Sequence, residues 1–201
     1  MDSYFAAIEI RDHPQWKGHP LAVGGTGPRS VVSTASYEAR KYGVHSALPM
    51  SQALRKCPHL IMAKSRFSVY KATTKIIQSI FREYTDKIEP MSLDEAYLDV
   101  SHQNRYAWDL AKEIRQKIFE KTQLTASAGI APNKMLAKIA SDWNKPNGQF
   151  AVTPDQIESF MKKLPVEKIP GVGKRSQERL SQEGIHSCED LQQWPKWKLK
   201  S

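Results

Sequence analysis

Apolar residues in this chain come in short bursts of two kinds, and this limits the folds open to it. Three stretches repeat apolar residues at helical spacing. They are Ile76, Ile77, Ile80, Phe81 and Tyr84; Trp108, Ala111, Ile114 and Ile118; and Met135, Leu136, Ile139, Ala140 and Trp143. Each gives one apolar stripe that another element must cover. Around them lie runs of only a few apolar residues, suited to short strands. Met1 to Ile8 reads as a strand. Leu21-Ala22-Val23 and Val31-Val32 flank Gly24-Gly25-Thr26-Gly27-Pro28 and read as a hairpin over residues 19–34. Ser36 to Tyr42 reads as a helix ending at Gly43, and Pro49 to Lys56 as another with proline near its first turn. Ile88 to Val100 is broken by Pro90, with a strand from about Asp94, and Thr125 to Ile130 is a strand of small residues. The order strand, helix, strand, helix, strand, helix predicts α+β, with the helices packed on one sheet. After Gly148, Pro154 and Pro165 punctuate short helical pieces, and the tail Trp194-Pro195-Lys196-Trp197-Lys198 shows no periodicity.

The remaining bulk properties exclude several classes. The 201 residues are 40% hydrophobic, enough for one large core or two small ones. No apolar run approaches the roughly 20 residues of a membrane span, so the chain does not read as a spanning protein. Met1 to Glu9 has neither the basic start nor the cleavage site of a signal peptide. Cys57 and Cys188 stand far apart, which excludes a disulfide scaffold and fits the cytoplasm, and no zinc-ligand spacing is present.

Charge gives the first positive clue. Thirty Lys and Arg against 21 Asp and Glu leave +9, a balance that suits a polyanionic partner or, more blandly, a soluble basic protein. Residues 1–70 carry nine bases and four acids, residues 71–157 twelve and eleven, and residues 158–201 nine and six. The acids therefore concentrate in the middle, as in a protein that grips a polyanion at both ends and binds cations in the centre.

Three clusters carry chemistry. In Ser92-Leu93-Asp94-Glu95-Ala96-Tyr97-Leu98-Asp99-Val100, two adjacent carboxylates open an apolar segment. Neighbours on a regular strand point to opposite faces, so both reach one site only at a strand end or irregularity. Hard oxygen ligands there favour Mg²⁺ or Mn²⁺; the plain alternative sends one acid to solvent and pairs the other with a lysine. In Thr34-Ala35-Ser36-Tyr37-Glu38-Ala39-Arg40, Tyr37 and Arg40 share a helical face with Thr34 nearby. A hydroxyl, a phenol and a guanidinium converging there suit a phosphate chain; the alternative is a surface helix with one aromatic packed inward. In Ile169-Pro170-Gly171-Val172-Gly173-Lys174-Arg175, a Gly-hydrophobic-Gly turn between two short helices would aim backbone N–H groups at phosphate, with two bases beside it. The alternative is a turn that needs glycines for its own sterics. Divalent metal, triphosphate and nucleic-acid backbone together describe nucleotidyl transfer.

These residues resemble the Y-family DNA polymerases of translesion synthesis, the bacterial members most. The resemblance covers essentially the whole chain. It runs through Asp2 to Glu9, Ser33 to Gly43, Ser92 to Asp99, Gly129 to Lys134, Lys145 to Gly148 and the hairpin at 170–173. It implies a right-hand architecture: palm at 1–10 and 71–157, inserted fingers at 11–70, and a partial thumb with a helix-hairpin-helix at 158–201. It further implies an error-prone, template-directed polymerase using two Mg²⁺ ions, with Asp94 and Glu95 as catalytic metal ligands. Thr34, Tyr37, Arg40 and Lys145 would hold the triphosphate. Phe5 would be the steric gate against a 2′-hydroxyl, and Gly171, Gly173, Lys174 and Arg175 would contact DNA. Primer-template DNA and dNTP are the expected partners of a monomer, with a sliding clamp for the full-length protein and no membrane. Met1 falls on the middle position of the family's Asp-x-Asp, so Asp2 matches the second acid and the first is absent. The resemblance thus implies a fragment or truncation, also lacking the C-terminal DNA-binding domain, with impaired transfer. A catalytically inactive DNA- or nucleotide-binding remnant is the alternative. A cyclase-like palm protein gives the hairpin and the Lys145 segment no role.

Overall fold

The computed structural model describes residues 1–25, 27 and 29–195. Thr26 and Pro28 of the expected hairpin turn, and most of the tail read as aperiodic, lie outside the described residues. The chain divides into two compact units, Met1–Tyr106 with Lys112–Ala126, and Ala107–Ala111 with Ser127–Ser201.

The first unit opens with α1 (Tyr4–Asp12), where a strand is expected. Ser3, in the left-handed region at φ 46, starts the helix, and Ala7 N–H donates to Ser3 O at 2.8 Å. The buried residues are Tyr4, Ala6, Ile8 and Glu9. Burial at 4, 6 and 8 mimics strand alternation, but 4 and 8 are one helical turn apart and the helix buries a wide arc. The expected hairpin is present. β1 (Leu21–Gly24) pairs antiparallel with β2 (Val32–Ala35), with an irregularity between Val23 and Gly24. α2 (Tyr37–Arg40) is shorter than the expected span, and the chain turns out at Gly43, φ +74. α3 (Met50–Lys56) leads to β3 (Ile61–Ala63), which joins β1 in parallel. Ala22, Val32, Ala35, Ala39, Val44 and Leu48 are among the residues closing one core around this sheet.

α4 (Phe67–Arg82) buries Tyr70, Thr73, Thr74, Ile77 and Ile80. Ile76, placed by periodicity on the inner face, is 41% exposed, because two threonines take the positions that complete the stripe. β4 (Ile88–Pro90) and β5 (Ala96–Leu98) form an antiparallel pair, so the strand expected from Asp94 starts at Ala96 instead. α5 (Ala107–Thr122) buries Leu110, Ile114 and Ile118 and exposes Trp108.

α1 is tied to α4 by charge. Glu9 is 2% exposed. Arg66 Nε donates to Glu9 Oε2 at 2.9 Å and Oε1 at 3.0 Å, and its second nitrogen reaches Asp12 at 2.7 Å. The Tyr70 hydroxyl donates to Glu9 Oε1 at 2.6 Å. Burial, and then this carboxylate, push the Tyr70 phenol up to about 12.

In the second unit β6 (Ala128–Ile130) pairs in parallel with β7 (Gln149–Ala151), and α6 (Lys134–Trp143) lies against them. The segment expected as strand from Thr125 thus narrows to three residues, and Gln149–Ala151 adds a strand that the sequence pattern does not mark. Asn133 caps α6, its side chain accepting from Leu136 N–H at 2.9 Å. Leu136, Ile139 and Ala140 are buried, while Met135 and Trp143, also in the stripe, are 44% and 42% exposed. α7 (Ile157–Lys163), α8 (Lys174–Gln182) and α9 (Cys188–Gln193) follow, with Ile139, Leu164 and Cys188 forming a shared core. The described strands form three separate sheets, β2-β1-β3, β4-β5 and β6-β7, rather than the single sheet expected. Each pair of three-residue strands uses its hydrogen bonds on its own partner. The fold class remains α+β.

Two expected outcomes follow from this packing. A Cβ at Gly129 would run into the backbone of α6 at Ala137 and Ser141. Gly129→Ala should therefore destabilise by about 3 kcal/mol, near the upper end for overpacking, measured by urea unfolding. A parent-like midpoint would mean that α6 moves away freely. For Tyr70, a raised folded pKa means that folding favours the neutral phenol. Its contribution is intact below pH of about 10 and is lost as the pH rises toward about 12. Unfolding midpoints measured across that window should decline less steeply in Tyr70→Phe than in the parent.

Candidate active site

Asp94 sits on a bend and Glu95 directly follows it, immediately before β5. The pleat that would send neighbouring side chains to opposite faces is absent there. Backbone bonds from Met91 N–H at 2.9 Å and Ser92 N–H at 3.3 Å, both to Glu95 O, close the turn. Ser92 Oγ donates to Asp94 Oδ1 at 3.0 Å and accepts from Asp94 N–H at 3.3 Å. The Met1 nitrogen lies 3.0 Å from Asp94 O and 3.6 Å from its Oδ2. Both carboxylates are half-buried.

This donor set fits a hard divalent cation. It offers carboxylate oxygens only, at a partly open turn where water or phosphate oxygens would complete the shell. Among the described residues, no three His, Cys, Asp or Glu side chains group to hold a metal. Asp2 is 3% exposed, its N–H donates to Thr125 O at 3.2 Å, and its charge acts on Arg115. Burial pulls the Arg115 guanidinium down, and Asp2 opposes this. Arg115 Nε also donates to Ala126 O at 2.8 Å.

Tyr37 and Arg40 meet as the helical spacing predicts. The Arg40 guanidinium carbon lies 5.0 Å from the Tyr37 ring centroid, and its Nε donates to Ala35 O at 3.2 Å. That anchoring leaves the other guanidinium nitrogens at the surface of an exposed residue. Thr34 is half-buried on β2, just before this helix. Ser36 joins strand to helix: its Oγ accepts from Leu21 N–H at 3.1 Å and from Ala39 N–H at 3.2 Å. The signal for Ser36 is legible as a serine before Tyr-Glu-Ala-Arg, the pattern of a helix cap.

Phe5 is half-buried on α1. Its ring stacks on Tyr70 with centroids 4.4 Å apart and planes 13° apart, and meets Phe67 edge-on at 5.8 Å. The ring is thus held flat from one side. Tyr4, one residue earlier, is 3% exposed and sends its hydroxyl 3.0 Å from Tyr70 O and 3.0 Å from Thr74 Oγ1. Thr74 Oγ1 lies 2.7 Å from Leu93 O, next to Asp94. No sequence signal marks Thr74, because its partners are 70 and 19 residues away.

In the second unit, Lys145 Nζ lies 2.7 Å from Asp142 Oδ1 with its side chain 25% exposed. The hairpin follows a short 3-10 turn, Val166–Lys168, and leads into α8. Gly171 has φ +96, so its turn favours glycine. Gly173 has φ −87, and a Cβ there would meet nothing within 4 Å. Neither the backbone nor internal packing calls for glycine at that position. Lys174 is 88% exposed and Arg175 is exposed.

The impB/mucB/samB family matches residues 1–142, and the thumb domain described for DNA polymerase-iota matches residues 167–201. A DNA polymerase IV of Shewanella denitrificans is 57% identical over 203 residues, covering 99% of this chain and 57% of the relative. The crystal structure of DinB from Sulfolobus solfataricus superposes with a TM-score of 0.94 at 38% identity, covering 99% of this chain and 60% of that one. An insertion ternary complex of Dbh DNA polymerase gives 0.90 at 37% identity, with the same coverage. The chain spans a little over half the length of these proteins. With the family match running through the carboxylate turn, the Tyr37–Arg40 helix and Phe5, the chain belongs to the impB/mucB/samB family, that of the Y-family DNA polymerases.

Proposed function

We propose that the chain is the palm, fingers and first part of the thumb of a template-directed, error-prone DNA polymerase of translesion synthesis. It would transfer a deoxynucleotide from dNTP to a primer 3′-hydroxyl, with release of pyrophosphate. The observation that carries this reading is the placement of Asp94 on a bend with Glu95 next to it, ahead of β5 and free of the strand pleat. The proposed bounds are 1–10 and 71–157 for the palm, 11–70 for the fingers and 158–201 for the thumb.

Asp94 and Glu95 would hold two Mg²⁺ ions, which when bound lower the pKa of the attacking hydroxyl and neutralise the triphosphate. Arg40, braced by Ala35 O, offers its remaining N–H groups to phosphate oxygens, with Tyr37 under it and Thr34 beside. Lys145 of the second unit would supply a charge to a phosphate of the dNTP. Phe5, held flat on Tyr70, would lie under the sugar and leave no room for a 2′-hydroxyl. At the hairpin, Gly171 and Gly173 let a sugar-phosphate strand approach the backbone, and Lys174 and Arg175 add charge without reading bases. The neighbour described as an insertion ternary complex supports primer-template DNA and dNTP as partners. A monomer in the cytoplasm, joined by a sliding clamp in the longer protein, completes the reading. No described helix is long and apolar enough to cross a membrane.

A second reading, a DNA- or nucleotide-binding protein without transfer activity, needs only the exposed bases beside the hairpin, Lys174 and Arg175. Primer extension with Mg²⁺ separates the two. Under the first reading the parent extends a primer, Asp94→Ala abolishes extension and Glu95→Ala nearly does. Extension by Asp94→Ala at the parent rate sinks the carboxylate assignment. A parent that binds primer-template and does not extend it decides for the second reading.

Binding through the hairpin should be indifferent to sequence and sensitive to salt, with log K falling by about 0.9 per phosphate neutralised as log salt rises. Gly173→Asp should weaken duplex binding and Lys174→Ala should reduce the salt slope. Fluorescence anisotropy at two salt concentrations, with circular dichroism to confirm folding, measures both. If the two folded variants bind like the parent with an unchanged slope, the hairpin is not a DNA contact.

A further inference from the structure

Thr74 is 6% exposed on α4, yet its hydroxyl ends at the backbone of the carboxylate turn. Three oxygens surround Thr74 Oγ1: Leu93 O at 2.7 Å, Tyr4 Oη at 3.0 Å and Tyr70 O at 3.0 Å. A hydroxyl has one proton to donate. Tyr70 O is also within 3.0 Å of the Tyr4 hydroxyl, and in helix α4 it lies one turn before Thr74 N–H. Leu93 lies outside regular structure, and its carbonyl has the shortest contact with Thr74. The arrangement that gives each hydroxyl one acceptor has Tyr4 donating to Thr74 Oγ1 and Thr74 donating to Leu93 O, with Tyr70 O left to its helical bond.

Leu93 O is the carbonyl of the Leu93–Asp94 peptide unit. The other end of that unit, Asp94 N–H, is bonded to Ser92 Oγ at 3.3 Å. A peptide unit is planar and rigid, so fixing its carbonyl and its N–H fixes the plane from which the Asp94 Cα departs. Ser92 provides one fixed point from within the exposed turn. Thr74 provides the other from the core.

We propose that Thr74 is a positioning residue for the carboxylate turn, setting the Leu93–Asp94 peptide plane so that Asp94 and Glu95 present their oxygens to the divalent-cation site. This rests on the reading of that turn as the cation site. Thr74 touches neither cation nor substrate, and it acts through the peptide unit alone. Loss of an outer partner of this kind costs metal affinity about 10- to 100-fold.

The test is titration of Mn²⁺ alone into the 201-residue chain, followed by the electron paramagnetic resonance signal of free Mn²⁺, with thermal melting of each variant. Thr74→Val keeps shape and removes the donor, and should weaken Mn²⁺ binding about tenfold. Thr74→Ser keeps the donor and should bind within about twofold of the parent. Thr122→Val removes a buried threonine hydroxyl bonded to Ile118 O, away from the turn, and should lower the melting temperature without changing the Mn²⁺ affinity. If Thr74→Val does not fold, Thr74→Cys takes its place with the same expected weakening, since a thiol is a poor donor. A folded Thr74→Val or Thr74→Cys that binds Mn²⁺ like the parent overturns the proposal, as does a Thr74→Ser as weak as the valine variant. Asp94→Asn keeps the two failures apart. If it binds as the parent does, or if the parent binds no Mn²⁺, the cation-site reading itself fails. If it binds weakly while Thr74→Val is parent-like, only the role of Thr74 fails.

Discussion

Glu9 is a carboxylate at 2% exposure, and a charge so far from water is tolerated only when its partners are in place. Arg66 meets both of its oxygens and the Tyr70 hydroxyl meets one. This fixes the start of α4 against the end of α1. The consequence reaches the site in two directions. Phe5 is four residues before Glu9, one helical turn, and the Tyr70 ring that stacks on Phe5 is the ring whose hydroxyl Glu9 holds. One turn further along α4, Thr74 reaches the carboxylate turn. The same helix pair therefore sets the attitude of the ring assigned to the sugar and the backbone that carries the acids assigned to the cation. A buried ion pair is a weak source of net stability, and its value here is geometric.

The glycines divide by a similar argument. Gly129 is required by the protein's own interior, because α6 crosses its Cα too closely for a side chain. Gly173 faces open space at a backbone angle any residue accepts, with two bases following it at the surface. A small residue with no internal reason to be small fits a surface that something else approaches closely. Arg40 shows the complementary case. Its Nε is spent on Ala35 O and its guanidinium carbon lies 5.0 Å from the Tyr37 ring centroid, so a flexible side chain is held at two points.

Several local features are readable from the sequence pattern. Tyr37 and Arg40 meet because a spacing of three is a geometric fact of a helix. The hairpin at Leu21 to Val32 follows from its glycine-rich centre, and Asp94 lies on a bend with Glu95 next, just ahead of β5. Where pattern misled, an amphipathic rule met a tertiary exception. Met1 to Ile8 reads as a strand from its mix of Tyr, Phe, Ala and Ile, yet Tyr4–Asp12 forms α1, buried on a broad arc. Ile76 points outward because Thr73 and Thr74 complete the inner face of α4, and threonine carries no apolar signal.

The sequence by itself determined the α+β class, the chemistry of the donors and the family, because these rest on residue type and on spacings within one element or one turn. Tertiary structure alone decided three things: that the described strands form three small sheets, that Glu9, Arg66 and Tyr70 make one buried network, and that Thr74 ends at Leu93 O. Those contacts join residues 19 to 61 positions apart. No local periodicity encodes such a pairing. It exists only once the chain has closed the loops between its partners and buried them together, where an unpaired charge or hydroxyl is too costly to leave.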